Sequence, residues 1–193
     1  FERIGARRDA RAAADLLGEE SETSQAAPRV TRTFLFSDIV GSTKLAAAIG
    51  DDAWKDLIRW HDDALRMVIA AHQGEEIRHQ GDGFVVCFVG PASAIECAIA
   101  IQQRLAEHRR QHGFAPTVRI GIHEADAHQR GLDYAGVGVH EAARVGAVAE
   151  AGEILVTRAT LDASGRDWAI GSERTVELKG IEGAVTVVPI AWR

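Results

Sequence analysis

The sequence contains little cysteine, no long apolar run and no excess of positive charge. Its two cysteines, Cys87 and Cys97, each lie in an apolar stretch. This argues against a disulfide-rich secreted domain and favours buried thiols in a reducing compartment. No stretch reaches the roughly 18 apolar residues of a membrane helix. The net charge of −6 argues against a nucleic-acid-binding protein, which normally carries a basic face. We therefore expect a cytoplasmic chain without a membrane segment and without a nucleic-acid partner.

The N-terminal part of the chain differs in composition from the rest. Residues 1–18 are rich in alanine and arginine and predict a helix. Residues 19–31 have the composition of a linker and show no apolar periodicity. We expect the helix to be the tail of an upstream regulatory module, and residues 32–193 to form one domain.

The apolar periodicity from residue 31 onward predicts the order β, α, β, β, α, β, followed by an αβ tail. This order is the ferredoxin-like pattern of an α+β fold. Its antiparallel sheet would carry helices on one face, and a second copy of the chain is one way to cover the other face. The predicted core strands are residues 31–37, 75–80, 84–89 and 117–123, and the predicted long helices are residues 51–72, 91–112 and 136–148.

Two aspartates lie at positions that this topology brings together. Asp38 follows the first strand, and Asp82 lies in the hairpin turn between the second and third strands. The first and third strands are neighbours in a βαββ sheet, so the two carboxylates would converge into an oxygen-rich site suited to Mg²⁺ or Mn²⁺. The glycine and helix start after Asp38 would offer N–H groups to phosphate. Aspartate is also a common turn residue, and the spacing alone supports both interpretations equally.

Five segments carry a resemblance to a known family. FLFSDIVGSTKL, RHQGDGFVVCF, VRIGIH, YAGVGVHEAARV and ELKGIEG resemble, in the same order, motifs of the class III adenylyl and guanylyl cyclase catalytic domains. The resemblance extends from about Arg32 to Trp192. It implies an adenylate cyclase that converts ATP to 3′,5′-cyclic AMP and pyrophosphate in cyclic-nucleotide signalling, by a two-metal-ion mechanism in a homodimer with active sites at the subunit interface.

The resemblance also implies a role for individual residues. Asp38, Asp82 and the carbonyl of Ile39 would bind two Mg²⁺ or Mn²⁺ ions. Arg144 would stabilise charge on the α-phosphate, with His140 beside it as a second catalytic residue. Arg78 and Asp133 would bind the base, and Asp133 favours adenine. The phosphates would be bound by Val40, Gly41, Ser42, Thr43 and Lys179.

Two positions depart from the family pattern. Arg78 replaces a lysine that reads adenine, and the planar guanidinium is not interchangeable with an ammonium group. His140 replaces an asparagine and offers one donor and one acceptor on a rigid ring, so we expect slower turnover. Two alternatives stay open: a degenerate cyclase-like domain that binds nucleotide or a partner with little activity, and a guanylyl or mixed-specificity cyclase.

Two further interpretations are disfavoured. An RNA-binding ferredoxin-like module would need paired aromatic residues on a strand, which the sequence lacks. The histidines match no zinc-binding spacing, and we expect them to lie on the surface or on strands. They are His61, His72, His79, His123 and His128.

Overall fold

The computed structural model describes residues 28–131, 133–179 and 183–193, without the side chains of Gln80, Arg130, Asp133 and Val137. The predicted helix over residues 1–18 lies outside this part. The described residues form eight strands and five α-helices: β1 (Arg29–Ile39), α1 (Ser42–Ile49), α2 (Asp51–Ala71), β2 (Glu75–Gln80), β3 (Gly83–Phe88), α3 (Pro91–His112), β4 (Val118–Arg130), β5 (Asp133–Ala135), α4 (Val137–Val148), β6 (Ile154–Thr157), α5 (Arg158–Ala163), β7 (Arg174–Glu177) and β8 (Ala184–Pro189).

The strands form one sheet in the order β2-β3-β1-β4-β6-β8-β7, with β5 paired to β4. Neighbouring strands are antiparallel except β4 and β6, which are parallel. The first four strands therefore have the order 2-3-1-4 that the βαββαβ pattern predicts. The ferredoxin-like core with an αβ tail is confirmed.

The two central strands are longer than the sequence pattern indicates. β1 and β4 pair without interruption from Arg29↔His128 to Ile39↔Val118. β1 thus starts within the last three residues of the predicted linker, and β4 continues past His123 to Arg130. Each strand supplies the hydrogen bonds that the other needs, so both extend to the same end of the sheet.

The main core lies between one face of the sheet and the helices α2 and α3. Strand residues that alternate along the chain, such as Leu35, Val86 and Ile120, are fully buried on this face. The two helices contribute Leu65, Ile69, Ile95, Ala98, Ile101 and Leu105. The 3.6-residue spacing of these side chains is what places them on one side of each helix.

Helix α4 covers part of the opposite face, so the helices are not confined to one face as the pattern suggested. Ala142 of α4 packs with Phe34 of β1 and Tyr134 of β5. Gly121 of β4 lies directly against α4, because a Cβ atom added there would be 2.1 Å from the backbone nitrogen of Gly146. Glycine at this position allows the strand and helix backbones to touch.

Candidate functional site

The structure brings the two predicted metal-binding aspartates to the same end of the sheet. β1 and β3 pair with Ser37 opposite Phe84, so Asp38 and the hairpin that carries Asp82 are adjacent. The hairpin turn is two residues long, with Gly81 at a φ of 68°, which glycine adopts without strain. A cavity of about 250 Å³ opens beside Asp38 and Gly83, next to α4. Asp82 itself does not line this cavity.

Asp38 is held by a residue that the sequence reasoning missed. Arg119 of β4 lies opposite Asp38 in the strand register. It donates from Nε at 2.9 Å and from Nη2 at 2.5 Å to Oδ2 of Asp38, and from Nη1 at 3.0 Å to the carbonyl of Ala147 in α4. The side chains of Asp38 and Arg119 are 41% and 32% exposed. A cation that binds Oδ2 of Asp38 would therefore compete with a guanidinium already in place.

Asp82 has different surroundings. Its Oδ2 atom is enclosed and has no hydrogen-bond partner among the described residues. An enclosed carboxylate oxygen without a donor is costly unless a cation or water meets it. This residue therefore fits a divalent metal ion, and Asp38 with the Ile39 carbonyl would complete an oxygen donor set of the kind Mg²⁺ takes.

The described part of the chain contains no group of three or more histidine, cysteine or acidic residues able to hold a metal ion by itself. Further ligands would have to come from backbone carbonyls, water or a nucleotide, as is usual for Mg²⁺.

A buried pair of residues lies behind the hairpin. His61 of α2 is fully buried, contrary to the surface or strand position expected for it, and its Nδ1 lies 3.0 Å from Oδ1 of Asp62. Nε2 of His79 lies 3.1 Å from Oδ2 of Asp62, but without the alignment of a hydrogen bond. Burial lowers the pKa of His61, although Asp62 and Asp82 act in the opposite direction.

The turn after Asp38 fits the predicted phosphate role in part. The N–H of Val40 already donates to the carbonyl of Thr117 at 2.9 Å, so it is not available to a phosphate. Gly41 has a φ of 69° and precedes α1, and no side chain caps the helix start. The N–H groups of Ser42 and Thr43 therefore lie at an uncapped helix N-terminus, where an anion is favoured.

A second cavity, of about 380 Å³, brings two other predicted residues together. The cavity is lined by Arg78 of β2, Tyr134 of β5 and His140 of α4. It shares Phe36, Val85 and Ala143 with the cavity beside Asp38. The two cavities therefore adjoin on the face of the sheet that carries α4.

The structure gives less support to the other predicted site residues. Arg144 is exposed one turn after His140 on α4. Lys179 is exposed after β7 and lines neither cavity, and residues 180–182 lie outside the described part. The backbone of Asp133 starts β5, but its side chain lies outside the described residues.

Comparison with known proteins finds one family. A model of the adenylate and guanylate cyclase catalytic domain matches residues 24–190. An adenylate cyclase of Lachancea kluyveri is 31% identical over 157 residues, which are 68% of this chain and 8% of that protein. A putative adenylate cyclase 3 of Rhizobium meliloti is 30% identical over 125 residues, which are 64% of this chain and 21% of that protein. The chain thus spans less than a quarter of these two relatives.

Solved structures share the fold. The guanylyl cyclase Cya2 superposes with a TM-score of 0.79 at 22% identity, covering 86% of this chain and 94% of that one. The adenylyl cyclase CyaB from P. aeruginosa gives 0.77 at 22% identity, covering 86% and 95%. No helix in the described part of the chain has the length and apolar character needed to span a bilayer.

Proposed function

Since the chain belongs to the family of adenylate and guanylate cyclase catalytic domains, we propose that it converts ATP to 3′,5′-cyclic AMP and pyrophosphate. The observation that carries this proposal is the enclosed, unpartnered oxygen of Asp82 at the same sheet end as Asp38. Two divalent cations, when bound, would acidify the ribose 3′-hydroxyl and neutralise the triphosphate.

Arg119 would hold two roles at the site. Its guanidinium pairs with Oδ2 of Asp38. If a cation were bound at that oxygen, Arg119 would lose this partner, while the bond from its Nη1 to the carbonyl of Ala147 would still hold it at the cavity. A guanidinium left at the cavity is suited to bidentate binding of phosphate oxygens. We therefore assign Arg119 to the phosphate-binding set together with the helix start at Ser42 and Thr43.

The groups that would read the base and stabilise the transition state lie on the α4 face. Arg78 and His140 line one cavity, which supports their assignment to the nucleotide. Arg144, with a permanent charge, would stabilise the negative charge that develops on the α-phosphate, a contribution of about 2.7–4 kcal/mol for one such donor. Asp133 and Lys179 complete the proposed set for adenine and the terminal phosphate.

The proposal includes a homodimer in the cytoplasm, with active sites between subunits, governed by an upstream regulatory module. The support for the homodimer is the part of the sheet face beside α4 that both cavities border. A second copy placed there would bring its own catalytic groups to the metal aspartates.

A degenerate, weakly active domain is the second candidate. Two observations favour it: Arg119 occupies Oδ2 of Asp38, and His140 stands where an asparagine is expected. A third candidate is a guanylyl or mixed-specificity cyclase, which would carry out the same reaction on a nucleotide with a different base.

The deciding experiment measures cyclic AMP formed from ATP and Mn²⁺ by the whole chain and by Asp38→Ala. Asp126→Ala is the matched control, because this exposed carboxylate also pairs with an arginine, Arg29. Product that vanishes only in Asp38→Ala supports the cyclase. Saturable ATP binding without product supports the degenerate domain, and a preference for GTP in competition supports the third candidate.

A further inference from the structure

A chain of hydrogen bonds links strand β4 to helix α4 through His123. Nδ1 of His123 lies 3.0 Å from Oγ1 of Thr157, and Nε2 lies 3.1 Å from Oε2 of Glu141. Oγ1 of Thr157 lies 2.7 Å from Oγ1 of Thr160, which accepts the N–H of Glu124 at 2.7 Å. The chain therefore runs from the backbone of β4, through the two threonines and the imidazole, to α4.

The chemistry of these groups fixes the position of every hydrogen. The carboxylate of Glu141 only accepts, so Nε2 of His123 must donate. In a neutral ring Nδ1 then accepts, and it takes the hydroxyl hydrogen of Thr157. Thr157 in turn accepts from Thr160, whose oxygen already accepts from Glu124. With the hydrogens arranged in this way, every donor in the chain of hydrogen bonds has an acceptor.

A positively charged ring breaks that order. Nδ1 would then donate to Thr157, and one of the two hydroxyl hydrogens would lose its acceptor. Both threonines are buried, at 3% and 1% exposure, so water does not replace the lost partner.

The surroundings of the ring agree with a neutral imidazole. Burial lowers the pKa of His123, and the nearby Glu141 and Glu124 offset this only in part. The ring, 15% exposed, borders a cavity of about 550 Å³ whose other charged or titratable lining residues are Arg29, Glu124, Asp126, His128 and Glu141.

Glu141 is at a position on α4 from which it can orient the proposed catalytic groups. It follows His140 and precedes Arg144 by three residues. The helix is also held at its C-terminal end, where Gly146 touches Gly121 and Ala147 accepts from Arg119. Ala142 and Val145 of the same helix are fully buried against the sheet. The bond from His123 to Glu141 adds to these apolar contacts a polar contact with a defined donor and acceptor, directly beside His140.

We propose that His123 is a positioning residue: its neutral ring, protonated on Nε2, binds Glu141. Together with the buried Ala142 and Val145, this bond sets the rotation of α4 that presents His140 and Arg144 to the nucleotide. The catalytic consequence rests on the proposed function, whereas the hydrogen-bond arrangement does not. The tests separate the two.

The first test does not need activity. Nitrogen-15 NMR of the histidine rings at pH 7.5, with His123→Gln used to assign the signal, should show protonated Nε2 and unprotonated Nδ1. Hydrogen exchange of α4 amides should accelerate in Glu141→Leu. A ring protonated on Nδ1 or on both nitrogens, or unchanged exchange, would overturn the proposal even if the chain is an active cyclase.

The second test compares two substitutions that each retain polar atoms near only one of the two ring nitrogens. His123→Gln retains a donor near Nε2, whereas His123→Asn retains polar atoms only near Nδ1. A displacement of about 1 Å at catalytic groups lowers rates by up to about 100-fold. We expect kcat to fall by about 10- to 100-fold in His123→Asn, with little change in KM for ATP, and much less in His123→Gln.

Thr157→Val is the matched control, because it removes the partner of Nδ1 and leaves the bond to Glu141. It should keep kcat within about threefold of the parent chain, since the geometry of α4 is retained. Equal loss of kcat in His123→Gln and His123→Asn, or a loss in Thr157→Val as large as in His123→Asn, would refute a positioning role through Glu141. If the parent chain makes no cyclic nucleotide, the proposed function fails and the first test still decides the role of His123.

Discussion

Replacing Gly121 with alanine should destabilise the domain strongly, because β4 and α4 touch through their backbones at this position. The added Cβ atom would lie 2.1 Å and 2.4 Å from the nitrogen and Cα of Gly146, and 2.7 Å from the carbonyl carbon of Val145. These are backbone atoms, so no side-chain rotation relieves the overlap. An ordinary contact begins at 3.4 Å, and α4 would have to move outward by about 1.3 Å.

The strand cannot move instead, because the flanking Ile120 and Ile122 are fully buried in the main core. Overpacking of this kind costs about 1–3 kcal/mol, and we expect the upper end because both sides are backbone. For a chain of this length each kcal/mol lowers Tm by about 2–4 °C, which gives a decrease of about 6–12 °C. Thermal unfolding followed by circular dichroism measures it.

Gly146→Ala is the matched control from the helix side of the same contact. Its added Cβ would come no closer than 3.4 Å, to Cβ of Phe36, and alanine favours a helix over glycine by about 1 kcal/mol. We expect its Tm to equal or exceed that of the parent chain. A Gly121→Ala chain that melts within about 2 °C of the parent, or a Gly146→Ala chain that is equally destabilised, would refute this packing of α4.

Three further predictions concern titratable groups. Burial raises the pKa of the Cys97 thiol to about 12 and also raises that of Cys87, so a thiol reagent at pH 8 should label neither until denaturant is added. Burial lowers the pKa of His61 and His123 below 6.5. As the pH falls, these two histidines therefore take up protons at a higher pH in the unfolded chain than in the folded chain. The free energy of unfolding should therefore decrease from about pH 6.5 downward, which denaturant titrations at several pH values will show, and the slope should be smaller in His123→Gln. Arg119→Ala should change Tm little, because ion pairs open to solvent contribute about 0–1 kcal/mol and this pair is partly exposed. It should tighten Mn²⁺ binding in the absence of nucleotide, measured by calorimetry.

The sequence predicts features that depend on local chemistry and on simple topology. Glycine at positions 81 and 83 around Asp82 specifies the hairpin, and neighbouring strands in a βαββ sheet bring that hairpin to Asp38. The order of the first four strands follows in the same way. These features need no knowledge of strand register.

Other features depend on register and packing that the sequence pattern does not contain. The pair of Arg119 with Asp38 exists because β1 and β4 pair with those two residues opposite each other. The position of α4 on the second face depends on the contact of Gly121 with Gly146, which are distant in sequence. The buried position of His61 could have been read from the apolar side of α2, where it lies four residues before Leu65.

The central claim is that Asp82 and Asp38 bind divalent cations together at one end of the sheet. Electron paramagnetic resonance of free Mn²⁺, titrated with the chain in the absence of nucleotide, measures this directly. Loss of the free-ion signal with the parent chain and with Asp126→Asn, and its persistence with Asp82→Asn or Asp38→Asn, is the result we predict. Equal Mn²⁺ binding by all four chains would contradict the account.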